Sequence, residues 1–307
     1  MENDGTTLPD GVFAAALTPL RSDFSIDHAA FAAHCRWLLD NGCDGVAPMG
    51  TTGEANSFSV AERIEALDRL IASGIPPRRL LVGTGCAAIP DTVALTRHAV
   101  AHGVGGVLVL PPFYYKGVSD DGLFAAFDQI IQRVASDSLR LYLYHFPQMS
   151  GVPLSHALMK RLVERYPKAV VGMKDSSGDW NNMKTTCETL PGFRTYTGFD
   201  QFLLPNLRAS GVGCITAACN VACRLAAEVY AKRATPDAEA PQQRLSKIRE
   251  AIAKHPLIAA LKRLTAERTG QDAWRLPRPP HLPLKDARYE SLKTELQSIE
   301  APEETAA

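Results

Sequence analysis

Val170-Val171-Gly172-Met173-Lys174 runs directly into Asp175-Ser176-Ser177-Gly178. Apolar and small residues lead to a lysine, and a polar turn follows at once. Side chains alternate between the faces of a strand, so Val170, Gly172 and Lys174 share one face. Small or apolar positions beneath a lysine describe a side chain aimed into a crowded, dry interior. An amine there resists protonation, and a neutral amine attacks carbonyls to form a Schiff base. Lysines are mostly exposed, however, and this stretch alone reads more readily as a surface lysine at a strand end. The rest of the chain decides between the two.

Outward from this strand, at 169–174, short apolar runs alternate with longer amphipathic ones. Further strands are expected at 12–17, 45–48, 80–84, 106–110, 139–144, 193–197 and 213–216. Helices are expected at 27–40, 60–72, 91–101, 120–135, 155–165, 180–190 and 201–209, with Ser59 and Ser119 as N-caps. Strand and helix alternating at this spacing specify an α/β parallel sheet with helical cover. Eight such units in the first 225 residues favour a closed (β/α)8 TIM barrel over an open sheet. No Gly-x-Gly-x-x-Gly follows the first strand, which counts against a dinucleotide fold.

The division that follows is a polar tail at 1–10, a barrel carrying the active site at 11–225, and a small C-terminal helical domain at 226–307. Within the last part, 222–233 reads as helix and 235–241 as a break. A helix or helix pair follows at 242–268, divided near Pro256. The proline-rich stretch 275–283 cannot be helical, and a final helix is expected at 289–299.

The 307 residues carry 33 basic and 33 acidic side chains, so neither nucleic acid nor an acidic membrane is an expected partner. No apolar run approaches the roughly 18 residues of a membrane span, and the polar start is unlike a secretory signal. The cysteines, Cys35, Cys43, Cys86, Cys187, Cys214, Cys219 and Cys223, are odd in number and scattered. That suits reduced thiols in a cytoplasm. Cys219 and Cys223 could share a helix face, but no histidine sits nearby in sequence and no metal site is expected.

In such barrels the working groups sit at the C-terminal ends of the strands. Gly50-Thr51-Thr52-Gly53-Glu54 follows the second strand. Its glycines allow a tight turn that leaves amides and hydroxyls free for a carboxylate; as a plain turn it would mean nothing. Tyr142-Leu143-Tyr144-His145-Phe146-Pro147 ends the fifth strand, the neighbour of the lysine strand. Tyr144 can therefore hang beside Lys174, and a phenol there can move protons. His145 falls on the opposite face and reads as packing. Lysine, tyrosine and threonine loop together suit a 2-oxo acid: an imine on the lysine, its carboxylate on the loop, its protons on the phenol.

These motifs carry a resemblance. The chain from about Gly11 to Leu284 resembles the dihydrodipicolinate synthase/N-acetylneuraminate lyase family of pyruvate-dependent class I aldolases. The match rests on Gly50-Thr51-Thr52-Gly53-Glu54, Tyr114-Tyr115, Tyr144 with Pro147, Gly172-Met173-Lys174-Asp175-Ser176-Ser177-Gly178 and Arg278-Pro279-Pro280-His281-Leu282-Pro283-Leu284. The resemblance implies that Lys174 is the Schiff-base lysine and Tyr144 the proton relay. It implies that Thr51 links Tyr144 to Tyr115, which reaches into a neighbouring subunit's site. Gly50, Thr51 and Thr52 would bind the pyruvate carboxylate, with Ile215 near the imine. It further implies a homotetramer of tight dimers, with pyruvate and an aldehyde as small-molecule partners and no metal or organic cofactor.

The departures bear on the second substrate. Dihydrodipicolinate synthases carry an arginine two residues after the proline that follows the relay tyrosine; Met149 stands there. Methionine cannot form a bidentate charged pair, so aspartate semialdehyde should bind poorly unless an arginine such as Arg140 substitutes. Ser176 and Gly198-Phe199-Asp200 are similar to the segments where the family's sugar-acid lyases bind hydroxyls, and Asp200 could also cap the next helix. Gln201 replaces the lyase glutamate, which disfavours sialic acid. The expectation is a lyase cleaving a 2-keto-3-deoxy sugar acid or 4-hydroxy-2-oxo acid, with 2-keto-3-deoxygluconate aldolase the best named candidate. Dihydrodipicolinate synthase and a sugar-acid dehydratase are the alternatives within the family. A non-catalytic 2-oxo acid binder is the competing class.

Overall fold

The computed structural model describes residues 9–300; residues 1–8, most of the polar tail, and residues 301–307 lie outside the described residues. The strands are β1 (Gly11–Ala15), β2 (Gly45–Ala47), β3 (Leu81–Gly83), β4 (Gly106–Val109), β5 (Leu141–His145), β6 (Val170–Asp175), β7 (Arg194–Thr197) and β8 (Gly213–Thr216). All pair in parallel, in the order β2-β1-β8-β7-β6-β5-β4-β3. A parallel bridge from Val46 to Leu80 joins the two ends and closes the barrel.

Around the barrel lie α1 (His28–Asp40), α2 (Val60–Ala72), α3 (Ile89–Ala101), α4 (Asp120–Val134), a short α5 (Pro147–Ser150), α6 (His156–Arg165), α7 (Trp180–Thr189) and α8 (Leu203–Arg208). Each longer helix turns an apolar stripe to the sheet. In α4 the stripe is Leu123, Phe127, Ile130, Ile131 and Val134, each stabilising by about 1.5–3 kcal/mol when buried. Ser59 opens α2 with the expected cap, strengthened by Glu62: Glu62 N–H donates to Ser59 Oγ at 3.2 Å and Ser59 N–H to Glu62 Oε2 at 2.7 Å.

The barrel interior is filled by side chains rather than left as a pore. Phe13, Ala15, Leu81, Leu108, Tyr142, Tyr196 and Ile215 form one buried cluster inside the ring. Tyr196 packs edge-on against both Phe13 and Tyr142, with centroids 5.7 and 5.8 Å apart. This explains Gly172: a Cβ there would lie 2.4 Å from the Arg194 carbonyl oxygen and 2.7 Å from the Tyr142 ring. The glycine beneath Lys174 makes room for a tyrosine on the neighbouring strand.

The chain continues through α9 (Cys219–Lys232), α10 (Glu239–Ala253), α11 (Leu257–Thr269) and α12 (Asp286–Glu300). Helix α9 is continuous past residue 225, with a non-helical Ala222 near its start. Part of the break expected at 235–241 is helical, because Pro241 falls in the first turn of α10, where proline is tolerated. The loop expected after the fifth strand contains α5, closed by Gly151 at φ 64°. Among the described residues no helix is long and apolar enough to cross a membrane.

The C-terminal helices are bolted to the barrel by buried polar contacts. Lys262 of α11 meets Glu54 Oε1 at 2.5 Å, with both side chains fully buried, and donates to the Leu276 carbonyl at 2.8 Å. Gln242 of α10 donates to the Asp200 carbonyl at 2.9 Å and accepts from Leu204 N–H at 2.8 Å. Burial drives the Lys262 amine below its ordinary value, and Glu54 opposes that shift.

Candidate active site

Register assembles the centre. In the β5–β6 pairing Tyr142 stands opposite Gly172, and Tyr144 opposite Lys174. Lys174 is 5% exposed, and its amine donates to Tyr144 Oη at 3.2 Å. It also lies 4.5 Å from the centroid of the same ring. Among the described residues it has no carboxylate partner. Tyr144 is itself buried and stacks on Phe146 at 5.8 Å. Its hydroxyl lies 3.3 Å from Thr51 Oγ1, so amine, phenol and threonine hydroxyl form one continuous chain.

The threonine loop is held from below and behind. Thr18 Oγ1 donates to the Gly53 carbonyl at 2.8 Å, and a Cβ on Gly53 would lie 2.8 Å from the Ala16 carbonyl oxygen. Glu54 takes a left-handed φ of 59°. Its carboxylate meets Lys262 and accepts from Arg278 N–H at 2.7 Å. The loop carrying Thr51 and Thr52 is thus fixed by the C-terminal segment.

Above the amine is a cavity of about 370 Å³. Thr51, Thr52, Tyr144, Lys174, Ser176 and Gly198 line it, as do Phe146, Met149, Phe199, Arg249, residues 256–259, His281 and Leu282. A larger, more open depression of about 570 Å³ lies beside it, against His145, Gln148 and Asn182, and contains neither Lys174 nor Tyr144. His145 accepts from Leu154 N–H at 3.1 Å through Nδ1, a packing role.

Four residues named from the sequence do not line the cavity. Gly50 lies in the loop beneath it. Ile215 is fully buried in the barrel interior. Tyr115 is 74% exposed and packs edge-on against Tyr114 at 5.2 Å, without reaching Thr51 within the protomer. Asp200 is also turned away: its buried carboxylate accepts from Thr216 Oγ1 at 2.7 Å and faces Arg249 Nε at 3.6 Å. It caps no helix, because the 3-10 turn that it opens has no side-chain cap. Burial lifts the Asp200 carboxyl to about 7, Cys219 adds to the shift, and Thr216 and Arg249 oppose it.

Arg140 is not a substitute for the arginine that Met149 replaces. It precedes β5, at the opposite end from the cavity, and donates to the Asp137 and Leu139 carbonyls. The arginine that does reach the cavity is Arg249, which the sequence reading missed. It sits in the charged run Lys247-Ile248-Arg249-Glu250. The available signal was its place one turn from Leu245 and beside Ile248, on the buried stripe of α10.

Of the groups able to bind a metal, Asp68 of α2, His98 of α3 and His102 just after α3 stand together among the described residues, away from the cavity. Asp68 Oδ1 lies 2.7 and 3.0 Å from the two imidazoles, an arrangement that also satisfies them without an ion. The cysteines form no disulfide.

Residues 8–299 match the model of the Dihydrodipicolinate synthetase family. The chain belongs to that family. A DapA-like lyase of Chloroflexus aurantiacus is 36% identical over 95% of this chain and 98% of its own length. The 4-hydroxy-tetrahydrodipicolinate synthase of Bartonella bacilliformis is 31% identical over 94% of this chain and 97% of its own. YagE from E. coli K12, a family member solved in complex with pyruvate, superposes with a TM-score of 0.87 at 26% identity, covering 95% of this chain and 99% of that one. The TIM barrel and the family read from the motifs are borne out, and the protein is an enzyme of the family's lyase and aldolase class.

Proposed function

We propose that the protein forms a Schiff base between Lys174 and a 2-oxo acid, and cleaves the acid to pyruvate and an aldehyde or runs the reverse. The supporting observation is the placement of Tyr144 Oη, 3.2 Å from the Lys174 amine and 3.3 Å from Thr51 Oγ1. The amine attacks the C2 carbonyl, and water leaves as the imine forms. Tyr144, relayed through Thr51, takes the proton of the C4 hydroxyl. The C3–C4 bond breaks, its electron pair moves into the imine as an enamine, and the aldehyde departs. A proton returns to C3, and water releases pyruvate from the lysine. Thr51 and Thr52 hold the pyruvate carboxylate, and Ser176 and Gly198 face the rest of the chain. These steps use no metal or organic cofactor.

The second substrate is read from the cavity wall. Met149 is 61% exposed at the mouth and brings no charge to it. The loss of a cation at that position favours a keto-deoxy sugar acid or 4-hydroxy-2-oxo acid, or a dehydratase working through the same imine, over aspartate semialdehyde; Arg249, from α10, is the guanidinium that lines the cavity instead. The named Bartonella relative favours the second reading, a 4-hydroxy-tetrahydrodipicolinate synthase. We also infer a homotetramer of tight dimers, because Tyr114 and Tyr115 present adjacent rings, 75% and 74% exposed, for a neighbour to cover. Sedimentation at equilibrium tests that state.

The deciding experiment is borohydride reduction in the presence of pyruvate, followed by peptide mass mapping. A permanent adduct on Lys174 is expected. Absence of an adduct leaves a simple binder, and its placement on another lysine moves the Schiff base away from Lys174; either result removes the enzyme described here. Pyruvate release across a panel of 2-oxo acids then separates the substrates, and efficient condensation of aspartate semialdehyde would overturn the preference.

A further inference from the structure

Arg249 is a buried cation with unmet donors. Its side chain is 12% exposed and lines the cavity that contains Lys174. Its Nε and Nη1 are shielded from solvent, yet no acceptor among the described residues meets either. The nearest charge, Asp200 Oδ2, is 3.6 Å from Nε, beyond hydrogen-bond range, and that oxygen is unsatisfied as well. The guanidinium otherwise lies 5.5 Å from the centroid of Phe199, an aromatic wall of the same cavity. Nε and Nη1 are closed to the cavity, but the side chain keeps 12% exposure and lines it, and Nη2 has no acceptor among the described residues, so the open part of the guanidinium is where an anion can be met. A guanidinium is a planar fork matched to a carboxylate.

We propose that Arg249 recognises an anionic group, a carboxylate, at the end of the substrate remote from the imine. This rests on the Schiff-base reading above and narrows it. The favoured substrate is a 2-oxo acid charged at both ends, cleaved to pyruvate and an aldehyde bearing an acid group. Met149 stands in the loop where the family resemblance places an arginine, and helix α10 brings one to the same cavity from the C-terminal helices. Asp200 does not line the cavity, but its Oδ2 lies 3.6 Å from the Arg249 Nε, so its charge bears on the same guanidinium. Burial raises that carboxyl to about 7, so it can hold a proton instead of repelling the ligand. Thr216 keeps its other oxygen occupied. Arg249 is a binding residue; it is given no part in the proton transfers.

The test compares 4-hydroxy-2-oxoglutarate, charged at both ends, with 2-keto-3-deoxygluconate, which ends in a hydroxyl. Pyruvate release is followed in the wild type and in the Arg249→Met and Arg249→Lys variants. The wild type is expected to favour the dicarboxylate. Arg249→Met should reduce its preference, as the ratio of kcat/KM values, by about 30-fold, mainly through KM, consistent with a charge-assisted hydrogen bond. Arg249→Lys should recover part of it. Pyruvate trapping at Lys174 is scored in parallel for all proteins. A wild type that prefers the hydroxyl-ended acid, or an Arg249→Met variant that weakens both substrates equally, overturns the proposal. No trapping in the wild type would instead overturn the Schiff-base reading on which it rests.

Discussion

Replacing Tyr144 with phenylalanine removes one oxygen and leaves the ring. Tyr144 is 4% exposed, and the stacking of its ring on Phe146 and its contact with the Lys174 side chain survive. The hydrogen bonds to Lys174 and Thr51 are lost. At about 0.5–1.5 kcal/mol net for each, the fold should lose roughly 1–3 kcal/mol, measurable by urea unfolding. Chemistry should lose more. A positioned proton donor and acceptor contributes about 10²- to 10⁴-fold, or roughly 3–5 kcal/mol of barrier. The assay is steady-state pyruvate release, with borohydride trapping run alongside. Turnover should fall by that factor while the Lys174 adduct still forms, more slowly, because the proposed nucleophile, the Lys174 amine, is intact. Turnover within threefold of wild type would show that protons do not travel through Tyr144. Loss of the adduct in a folded variant would show that the phenol sets up the amine and does not serve as a relay.

Three further outcomes are expected. Lys262→Met strands the Glu54 carboxylate in the interior and should cost about 3–5 kcal/mol; adding Glu54→Gln should recover most of it, and a fully additive double variant would refute the coupling. Gly172→Ala drives a Cβ into the Arg194 carbonyl and the Tyr142 ring and should destabilise by about 1–3 kcal/mol in urea; a neutral effect would mean that the interior is looser than described. His34 is buried, hydrogen-bonds Asn220 Oδ1 at 2.8 Å through Nε2, and has Arg268 Nη2 at 3.1 Å from Nδ1. Burial pushes its pKa down to about 4, Asn220 opposes this and Arg268 adds to it. The unfolded chain therefore binds the proton first: this contribution is complete above pH 6.5 and is lost as pH falls towards 4, by roughly 3 kcal/mol. His34→Gln should flatten that slope in unfolding titrations, and an unchanged slope would place the effect elsewhere.

Lys174 and Tyr144 were legible because strand periodicity is local. A two-residue alternation puts Gly172 and Lys174 on one face of β6 and Tyr142 and Tyr144 on one face of β5, and parallel pairing brings both sets to the same side of the sheet. Helix α5 was not legible, because its four residues carry no periodicity, although it brings Met149 to the cavity mouth. Asp200 was misread because a residue after a strand can point into the mouth or behind it, and only Thr216 and Arg249 show which. Arg249 was missed for a related reason. Its position on the apolar stripe of α10 was visible, but which part of that stripe meets the barrel depends on contacts distant in sequence, such as Gln242 to Asp200.

The site therefore belongs to both parts of the chain. The barrel supplies the amine, the phenol and the threonines, and its strands fix their spacing. The threonine loop keeps its shape through Glu54, a non-glycine residue at φ 59°, where a left-handed backbone costs about 1–2 kcal/mol. That conformation persists because Lys262 and Arg278 hold the carboxylate from the C-terminal side. The same C-terminal segment closes the cavity with Arg249, residues 256–259, and His281 and Leu282 of the loop before α12. Chemistry can thus stay constant in the barrel, where Lys174 and Tyr144 are set by strand register. Substrate choice can be set by side chains such as Met149 and Arg249, on short or late helices that no strand pairing constrains. On this argument the catalytic step and the selection of the aldehyde are physically separable, and substitutions at Arg249 should alter which acid is cleaved without altering how the imine forms.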